Sequence, residues 1–372
     1  MTEELHAWLD AHLPQAETLN DGVDFRLGAR VLRVSGSAET VQQLTDLAPL
    51  DRIDRLDGLD GLDGPDSSHT HLPRVGLHYL DDASIADLPD TGHLRRGPYG
   101  AITAWANDDG GYGAEATSDV KRDGTSEASP WLICLEDDLS AMLAFHLESR
   151  QALAFSRTAL APRQVAEFAR TLMHWAAIAD GNVLVHAAAV AREGRGLLIC
   201  GVGTSGKTTL VRQCIAEGWA FLADNVVEYS PGAATNASAT QLWSTYATLK
   251  LRPDALPVSP PETSISLWDD EAEKDIHFLV GATRAQFAAE PVTHMATLVL
   301  QPGGPAHPEP LAAGAGLLAI APNTVAQFPF YEREVLERVS ALTRSAPLFT
   351  AGRMPLDAMT RLLENMLEDV TA

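Results

Sequence analysis

The spacing of apolar and polar residues predicts alternating strands and helices, most clearly beyond residue 130. Trp131 to Leu135 is a short apolar run typical of a buried strand, and Ala161 to Ala179 carries an apolar stripe at helical spacing. Further strands are predicted over Val183 to Val190, Leu197 to Cys200, Ala220 to Ala223 and Ala296 to Leu300, and further helices over Thr209 to Glu217, Tyr331 to Thr343 and Leu356 to Glu368. This alternation predicts an α/β fold for the second part of the chain.

The pattern before residue 131 is more irregular and predicts a smaller α+β domain. An amphipathic helix is expected within residues 1–20, a strand over Val23 to Ser35 and a helix over Ala38 to Ala48. Residues 51–71 and 107–130 are rich in glycine and aspartate, which predicts two surface loops. The carboxylates of the first loop also suggest calcium, but their spacing does not match an EF-hand, so a solvated acidic loop is the preferred interpretation.

We therefore expect two domains, residues 1–160 and residues 161–372. The formal net charge of −23 repels nucleic acid and anionic lipid, so neither is an expected partner. Three widely spaced cysteines predict neither disulfides nor a zinc site and fit a reducing cytoplasm. The acidic N-terminus is unlike a signal peptide, and no run reaches the ~18 apolar residues of a membrane span.

One segment predicts specific chemistry, because it matches the phosphate-binding pattern G-x-x-x-x-G-K-[ST] between a strand and a helix. It comprises Gly201, Val202, Gly203, Thr204, Ser205, Gly206, Lys207 and Thr208, followed by Thr209. Glycines let backbone amides converge on phosphate oxygens, Lys207 neutralises the terminal phosphates, and the Thr208 hydroxyl can bind Mg²⁺. A plain glycine-rich turn would explain the glycines, but not why one of only four lysines stands at the required position.

Asp224 is predicted to return to the phosphate end of this segment. A helix of about ten residues carries the chain ~15 Å away. The strand that follows brings it ~16 Å back, up to Asp224. An aspartate there can accept a proton from an attacking hydroxyl or help to hold the metal. The alternative is an ordinary turn residue at a strand end.

His186 is a second candidate at the phosphate site. If the strands around Glu193 and Gly194 form a hairpin, the paired positions sum to 387 and place His186 opposite Gly201. A histidine on an apolar strand is also commonly a core residue, and a register slip would turn it to the other face. Both interpretations stay open on the sequence.

The order of these residues resembles the nucleotide-binding core of the HPr kinase/phosphorylase family, which belongs with the ATP-type phosphoenolpyruvate carboxykinases. The resemblance rests on residues 184–190 around His186, on the P-loop, and on the stretch ending in Asp224 and Asn225. It implies a carboxykinase-like P-loop core with a mixed sheet. It also implies that Lys207 and Thr208 bind ATP-Mg, that Asp224 is the general base and that His186 interacts with it.

This chain departs from the family pattern in two places. Asn225 stands where the family has a second aspartate, and the glycine-rich segment that follows in HPr kinases has no clear counterpart. The metal ligands implied by the resemblance are therefore Thr208, Asp224 and Asn225, with one charge fewer. A diverged kinase acting on a different acceptor is expected instead of a strict HPr kinase.

The sequence therefore predicts an ATP-dependent kinase that transfers phosphate to a hydroxyl of a peptide, a protein serine or a small molecule. One alternative is a nucleotide-binding regulatory module with weak or no catalysis. Another is ATP hydrolysis coupled to conformational work, which the lack of a later Walker-type aspartate disfavours. The sequence leaves open the acceptor, the occurrence of the reverse reaction and the oligomeric state, for which a homo-oligomer is one option.

Overall fold

The computed structural model describes most of the second part of the chain and separate elements of the first. The residues described are 7–11, 13, 22–36, 74–80, 102–104, 131–136, 141–156, 162–232, 240–246, 248–251, 263–269, 274–279, 288, 290–328, 331–352 and 354–369. The predicted helix over Ala38 to Ala48 and the two acidic loops lie outside them. The chain divides into two units, Met1–Ala179 with Phe328–Glu332, and Asp180–Gln327 with Arg333–Ala372.

The first unit contains a seven-stranded mixed sheet. Its strands are β1 (Gly22–Leu27), β2 (Arg30–Ser35), β3 (Arg74–Tyr79), β4 (Ile102–Ala104), β5 (Trp131–Glu136), β6 (Ala141–His146) and β7 (Gln151–Ser156), in the order β1-β2-β3-β7-β6-β5-β4. Pairs β2–β3 and β3–β7 are parallel and the others antiparallel. Helix α1 (Pro162–Ala179) packs on β6, where the rings of Phe145 and Trp175 stack 6.4 Å apart.

One expectation for this unit was wrong. Val23 to Ser35 forms two antiparallel strands, β1 and β2, and not a single strand. The chain reverses at Gly28, whose φ of 60° lies in the left-handed region that glycine adopts without a steric cost. The helical residues 7–11 and the strand from Trp131 confirm the predicted elements at those positions.

The second unit is built on a nine-stranded mixed sheet. Its strands are β8 (Val183–Val185), β9 (Ala188–Arg192), β10 (Arg195–Gly201), β11 (Ala220–Ala223), β12 (Val227–Ser230), β13 (Gln241–Trp243), β17 (Val292–Leu300), β18 (Glu309–Pro310) and β19 (Leu348–Ala351). The main order is β11-β9-β10-β17-β13-β12-β8, with β19 pairing β17 and β18. Strands β14 (Thr248–Leu251), β15 (Thr263–Asp269) and β16 (Lys274–Leu279) form a separate antiparallel sheet.

The described helices of this unit are α2 (Lys207–Ala216), α3 (Ala313–Val325), α4 (Glu332–Ser345) and α5 (Leu356–Asp369). The first residue of α4, Glu332, belongs to the first unit, and the remaining residues of this helix belong to the second. No described helix combines the length and the apolar composition that a membrane crossing requires. The mixture of strands and helices agrees with the predicted α/β class.

The core that fixes the candidate site lies between β10, β17 and the helices α2 and α5. Leu197 and Ile199 point to this side of β10, because alternate residues of a strand face opposite sides. They pack with Leu210 and Cys214 of α2 and with Leu363 of α5, all buried. Each buried leucine or isoleucine contributes ~1.5 to 3 kcal/mol, so the strand, the loop and the helix are held as one packed element.

Candidate functional site

The segment that matches the phosphate-binding pattern, residues 201–208 and called the P-loop below, follows β10 and leads into α2; the strand before it and the helix after it are as the sequence predicted. Gly201 ends β10 with φ 146°, and a Cβ at this position would lie 2.5 Å from the Leu300 carbonyl oxygen and 2.7 Å from Ser205 Oγ. Gly206 precedes α2 with φ 107° in the left-handed region. Both conformations favour glycine, the first because of space as well as angle. The loop is thus shaped by its two glycines at either end.

The first turn of α2 leaves backbone N–H groups without an acceptor inside the helix. The Ser205 N–H donates to the Val202 carbonyl (3.2 Å), and the Leu210 N–H donates to the Gly206 carbonyl (3.0 Å). The N–H groups of residues 207–209 therefore precede the i to i−4 bond that Leu210 makes at the start of the helix. The first N–H groups of a helix have no intrahelical acceptor and carry the positive end of its dipole, which is a site for anions.

Lys207 is folded back over the loop. Its Nζ donates to the Gly201 carbonyl at 2.7 Å and to the Val202 carbonyl at 3.2 Å, and the side chain is buried. Burial raises the pKa of the neighbouring Cys200 thiol to about 12, and the positive charge of Lys207 opposes this rise. The ammonium group therefore lies where β10 ends, beside the amides of the loop.

Ser205 supplies a further polar atom. The side chain is buried, and among the described residues its Oγ has no hydrogen-bond partner. A buried hydroxyl without a partner is costly, and a ligand oxygen in the loop would satisfy it. Val202, Gly203 and Thr204 are exposed along the outside of the loop, Thr208 is half-buried and Thr209 is exposed. The buried Ser205 hydroxyl and the exposed loop around it fit a bound phosphate group.

Asp224 lies at the same edge of the sheet as the P-loop. Strand β9 is antiparallel to both β10 and β11, so β10 and β11 run in the same direction and end at one edge. Asp224 follows β11 directly and is 5% exposed. Its Oδ2 accepts a hydrogen bond from the Lys250 backbone N–H at 2.9 Å. The direction of β11 thus brings Asp224 to the edge at which the P-loop begins.

The surroundings of His186 differ from those that the sequence predicted. The predicted continuous strand from Val183 to Val190 is wrong: β8 ends at Val185, β9 begins at Ala188, and His186 lies between them. The hairpin register is as expected, but the β9–β10 ladder stops at Ala188 and Ile199, before it would reach His186 and Gly201. The backbone N–H of His186 instead donates to Thr324 Oγ1 at 3.3 Å.

The chain breaks at His186 because its two halves belong to different parts of the sheet. Strand β8 pairs with β12 at one margin, whereas β9 lies between β11 and β10. Within the two residues between β8 and β9, the chain must therefore leave the margin of the sheet beside β12 and reach the position between β11 and β10. His186 remains close in sequence to the start of β9, which lies at the edge where β10 ends.

Arg212 is a residue of this region that the sequence analysis missed. It lies on α2 and is 6% exposed. Burial lowers the pKa of its guanidinium group, and the charge of Asp224 acts in the opposite direction. A signal was present in the sequence, because Arg212 follows Thr208 by four residues, and residues at this spacing share one helix face.

The oxygen atoms at this edge fit a hard cation. A half-buried threonine hydroxyl at Thr208 and the Asp224 carboxylate are ligands that Mg²⁺ prefers when substrate phosphates supply the rest of its shell. Asn225, which is half-buried, adds an amide oxygen in place of a second carboxylate. Within the described residues, no group of three or more His, Cys, Asp or Glu side chains forms a metal cluster.

Comparisons with known proteins give a weak structural likeness. No protein-family model matches the sequence, and no curated protein matches it. A solved structure of the HPr(Ser) kinase/phosphatase from Coxiella burnetii is similar, with a TM-score of 0.28 and 12% identity. The similarity covers 51% of this chain and 99% of that one. A likeness at this level does not place the chain in a family, so its function must be inferred from the geometry of the site.

Proposed function

We propose that the second unit is an ATP-dependent phosphotransferase that transfers the γ-phosphoryl group to a hydroxyl. The observation that supports this most is that the P-loop with Lys207, and Asp224, lie at the same edge of the sheet. A phosphate site next to a carboxylate provides both of the elements that phosphoryl transfer to an alcohol requires. The acceptor class is a peptide or protein serine, or a small-molecule alcohol.

Binding would begin with an exchange of partners at Lys207. The Nζ atom leaves the carbonyls of Gly201 and Val202 and meets the β- and γ-phosphates. The N–H groups of residues 207–209 and the Ser205 hydroxyl donate to phosphate oxygens. Bonds between charged partners are about twice as strong as neutral ones, so the exchange favours the nucleotide-bound state. Mg²⁺, held by Thr208 and Asp224 with Asn225 nearby, supplies charge neutralisation when bound.

The chemical step would then place the acceptor hydroxyl beside Asp224. A bond forms between the hydroxyl oxygen and the γ-phosphorus, while the bond from that phosphorus to the bridging oxygen of ADP breaks. Asp224 accepts the hydroxyl proton, and Lys207 and the loop amides stabilise the charge on the transferring group. His186 is proposed to assist Asp224 from the segment before β9. ADP and the phosphorylated acceptor are the products.

A second candidate is a regulatory module that binds ATP without turnover. Asn225 favours it, because a neutral side chain next to Asp224 leaves a single carboxylate at the proposed metal position. In that case ATP binding would alter contacts with a partner, and the unit would lack transfer activity. The two candidates differ in a measurable product.

The test is to incubate the full chain with γ-labelled ATP, Mg²⁺ and serine- or threonine-bearing peptides, free serine and sugar alcohols. We expect phosphate on an alcohol, located by mass spectrometry. The net charge of −23 leads us to expect the strongest transfer to acceptors that are not strongly anionic. Phosphate only on a carboxylate, guanidinium or histidine would contradict the hydroxyl kinase. Tight ATP binding without transfer to any acceptor in a cell extract would favour the regulatory module.

A further inference from the structure

The arginine on the P-loop helix is a buried charge that the proposed chemical step does not use. Arg212 lies between the buried residues Val211 and Cys214 on α2, and is itself buried. A charged group in such an environment is costly unless another charge compensates it. The Asp224 carboxylate carries the opposite charge and opposes the lowering of the Arg212 pKa that burial causes.

Helix α2, which carries Arg212, packs against the strands that position Asp224. Helix α2 packs against both β11 and β14. These two strands determine where Asp224 lies: β11 ends immediately before it, and Lys250 of β14 donates its backbone N–H to Oδ2. The carboxylate is thus held by β14, one of the two strands against which α2 packs.

The direction of Arg212 along the helix also matters. Helical side chains tilt toward the N-terminus of their helix, which for α2 is the P-loop. Arg212 shares a helix face with Thr208, one turn closer to that loop. The Cα–Cβ bond of Arg212 therefore tilts toward the loop end of α2, the same edge of the sheet at which Asp224 lies.

We propose that Arg212 is a positioning residue that holds the Asp224 carboxylate in the orientation needed to receive the acceptor proton. The inference rests on the proposed phosphotransferase function. The Lys250 N–H restrains one carboxylate oxygen by a hydrogen bond, and the Arg212 charge restrains the group from the side of α2. With both in place, Asp224 is aligned before the acceptor arrives. Arg212 acts through Asp224 and need not touch the substrate.

The kinetic test compares R212M, R212K and the control R333M. Arg333 is an exposed arginine on α4 that pairs with Glu337 at 3.0 Å, so R333M removes the same charge elsewhere in this unit. We expect R212M to lower kcat ~10- to 100-fold with KM for ATP little changed, since a misplaced group can cost about 10²-fold. R212K should recover a large part of kcat, and R333M should match the wild type. An unchanged kcat in R212M would overturn the inference.

A second measurement does not depend on activity. Hydrogen exchange in peptides from residues 195–223 gives the opening equilibrium of this unit for wild type, R212M, D224N and the double variant. We expect the double variant to be more stable than additivity predicts by about tenfold in that equilibrium, because neither charge is then left unpaired. If R212M alone does not fold, refolding of R212M/D224N gives the same support, and its failure overturns the pairing.

The two measurements separate the inference from the proposed function. If the wild type neither binds nor uses ATP, the function fails, and the exchange cycle still decides whether Arg212 and Asp224 interact. If transfer occurs but the exchange effects of R212M and D224N are additive, the function stands and the positioning role of Arg212 is overturned.

Discussion

The substitution Gly201→Ala tests whether the P-loop geometry depends on the end of β10. The added Cβ would lie 2.5 Å from the Leu300 carbonyl oxygen, whereas ordinary contacts begin at 3.4 Å. Leu300 is the parallel partner of Gly201 in β17, so this oxygen belongs to the sheet and cannot turn away like a flexible side chain. Strands β10 and β17 must therefore separate, or the loop must change its path.

The expected cost has two parts. Overpacking of a well-filled position costs about 1 to 3 kcal/mol. A φ of 146° on a residue with a Cβ adds roughly another 1 to 3 kcal/mol. The sum of about 2 to 6 kcal/mol corresponds to at least a tenfold increase in the opening of this unit, since ~1.4 kcal/mol is a factor of ten in an equilibrium constant.

Two other glycines of the same loop are matched controls. Gly203 has open space around the Cβ position and no left-handed φ, so Gly203→Ala should leave stability nearly unchanged. Gly206 has open space but a φ of 107°, so Gly206→Ala should cost only the conformational part, ~1 to 3 kcal/mol. Hydrogen exchange over residues 195–223 should rank the variants Gly203, Gly206, Gly201 in increasing effect. Equal exchange in the Gly201 and Gly203 variants would refute the reasoning.

Three further predictions concern single ionisable residues. Lys207→Ala should abolish ATP binding measurable by calorimetry, a loss of about 10²-fold or more, because the phosphates lose a buried cation. Asp224→Asn should preserve ATP binding but reduce transfer, measured with labelled ATP, ~10²- to 10⁴-fold, because the amide cannot accept the proton. His294→Gln should reduce the loss of unfolding free energy on acidification, measured by urea unfolding between pH 7 and pH 4. Burial lowers the pKa of His294 from 6.5 to about 4, so the native state resists its protonation and the wild type loses roughly 3 kcal/mol over that interval.

Each of these three predictions has a result that would contradict it. Unchanged ATP affinity in Lys207→Ala would remove the P-loop assignment, and near wild-type transfer in Asp224→Asn would move the base elsewhere, with His186 the first candidate. For His294, the neutral ring lies 2.9 Å from Thr297 Oγ1 through Nε2, a contact that glutamine can retain. An equally steep loss of stability in the glutamine variant would assign the acid sensitivity to other groups.

The local parts of the site could be predicted from the sequence because they depend on neighbours in the chain. An apolar strand, a glycine-rich loop and a helix follow one another directly, and the structure has them at β10 and α2. The hairpin of β9 and β10 has the expected register, since a tight turn at Gly194 fixes which residues pair. The lengths of α2 and β11 predicted that Asp224 returns to this edge, and the pairing of β9 with β10 and β11 brings it there.

The other features of the site could not be predicted from the sequence, because they depend on contacts between residues that are far apart in the chain. Val183 to Val190 is apolar on both sides of His186, so nothing in the pattern marks the crossing there, and only pairing of β8 with β12 separates it from β9. Arg212 resembles any surface arginine in the sequence, whereas in the structure it is buried on α2, which packs against β11 and β14. The sequence determined which groups are candidates for binding phosphate, because that expectation follows from residue type and local geometry. The tertiary structure decided which charges share a buried environment, because burial and strand order arise only when distant segments pack together.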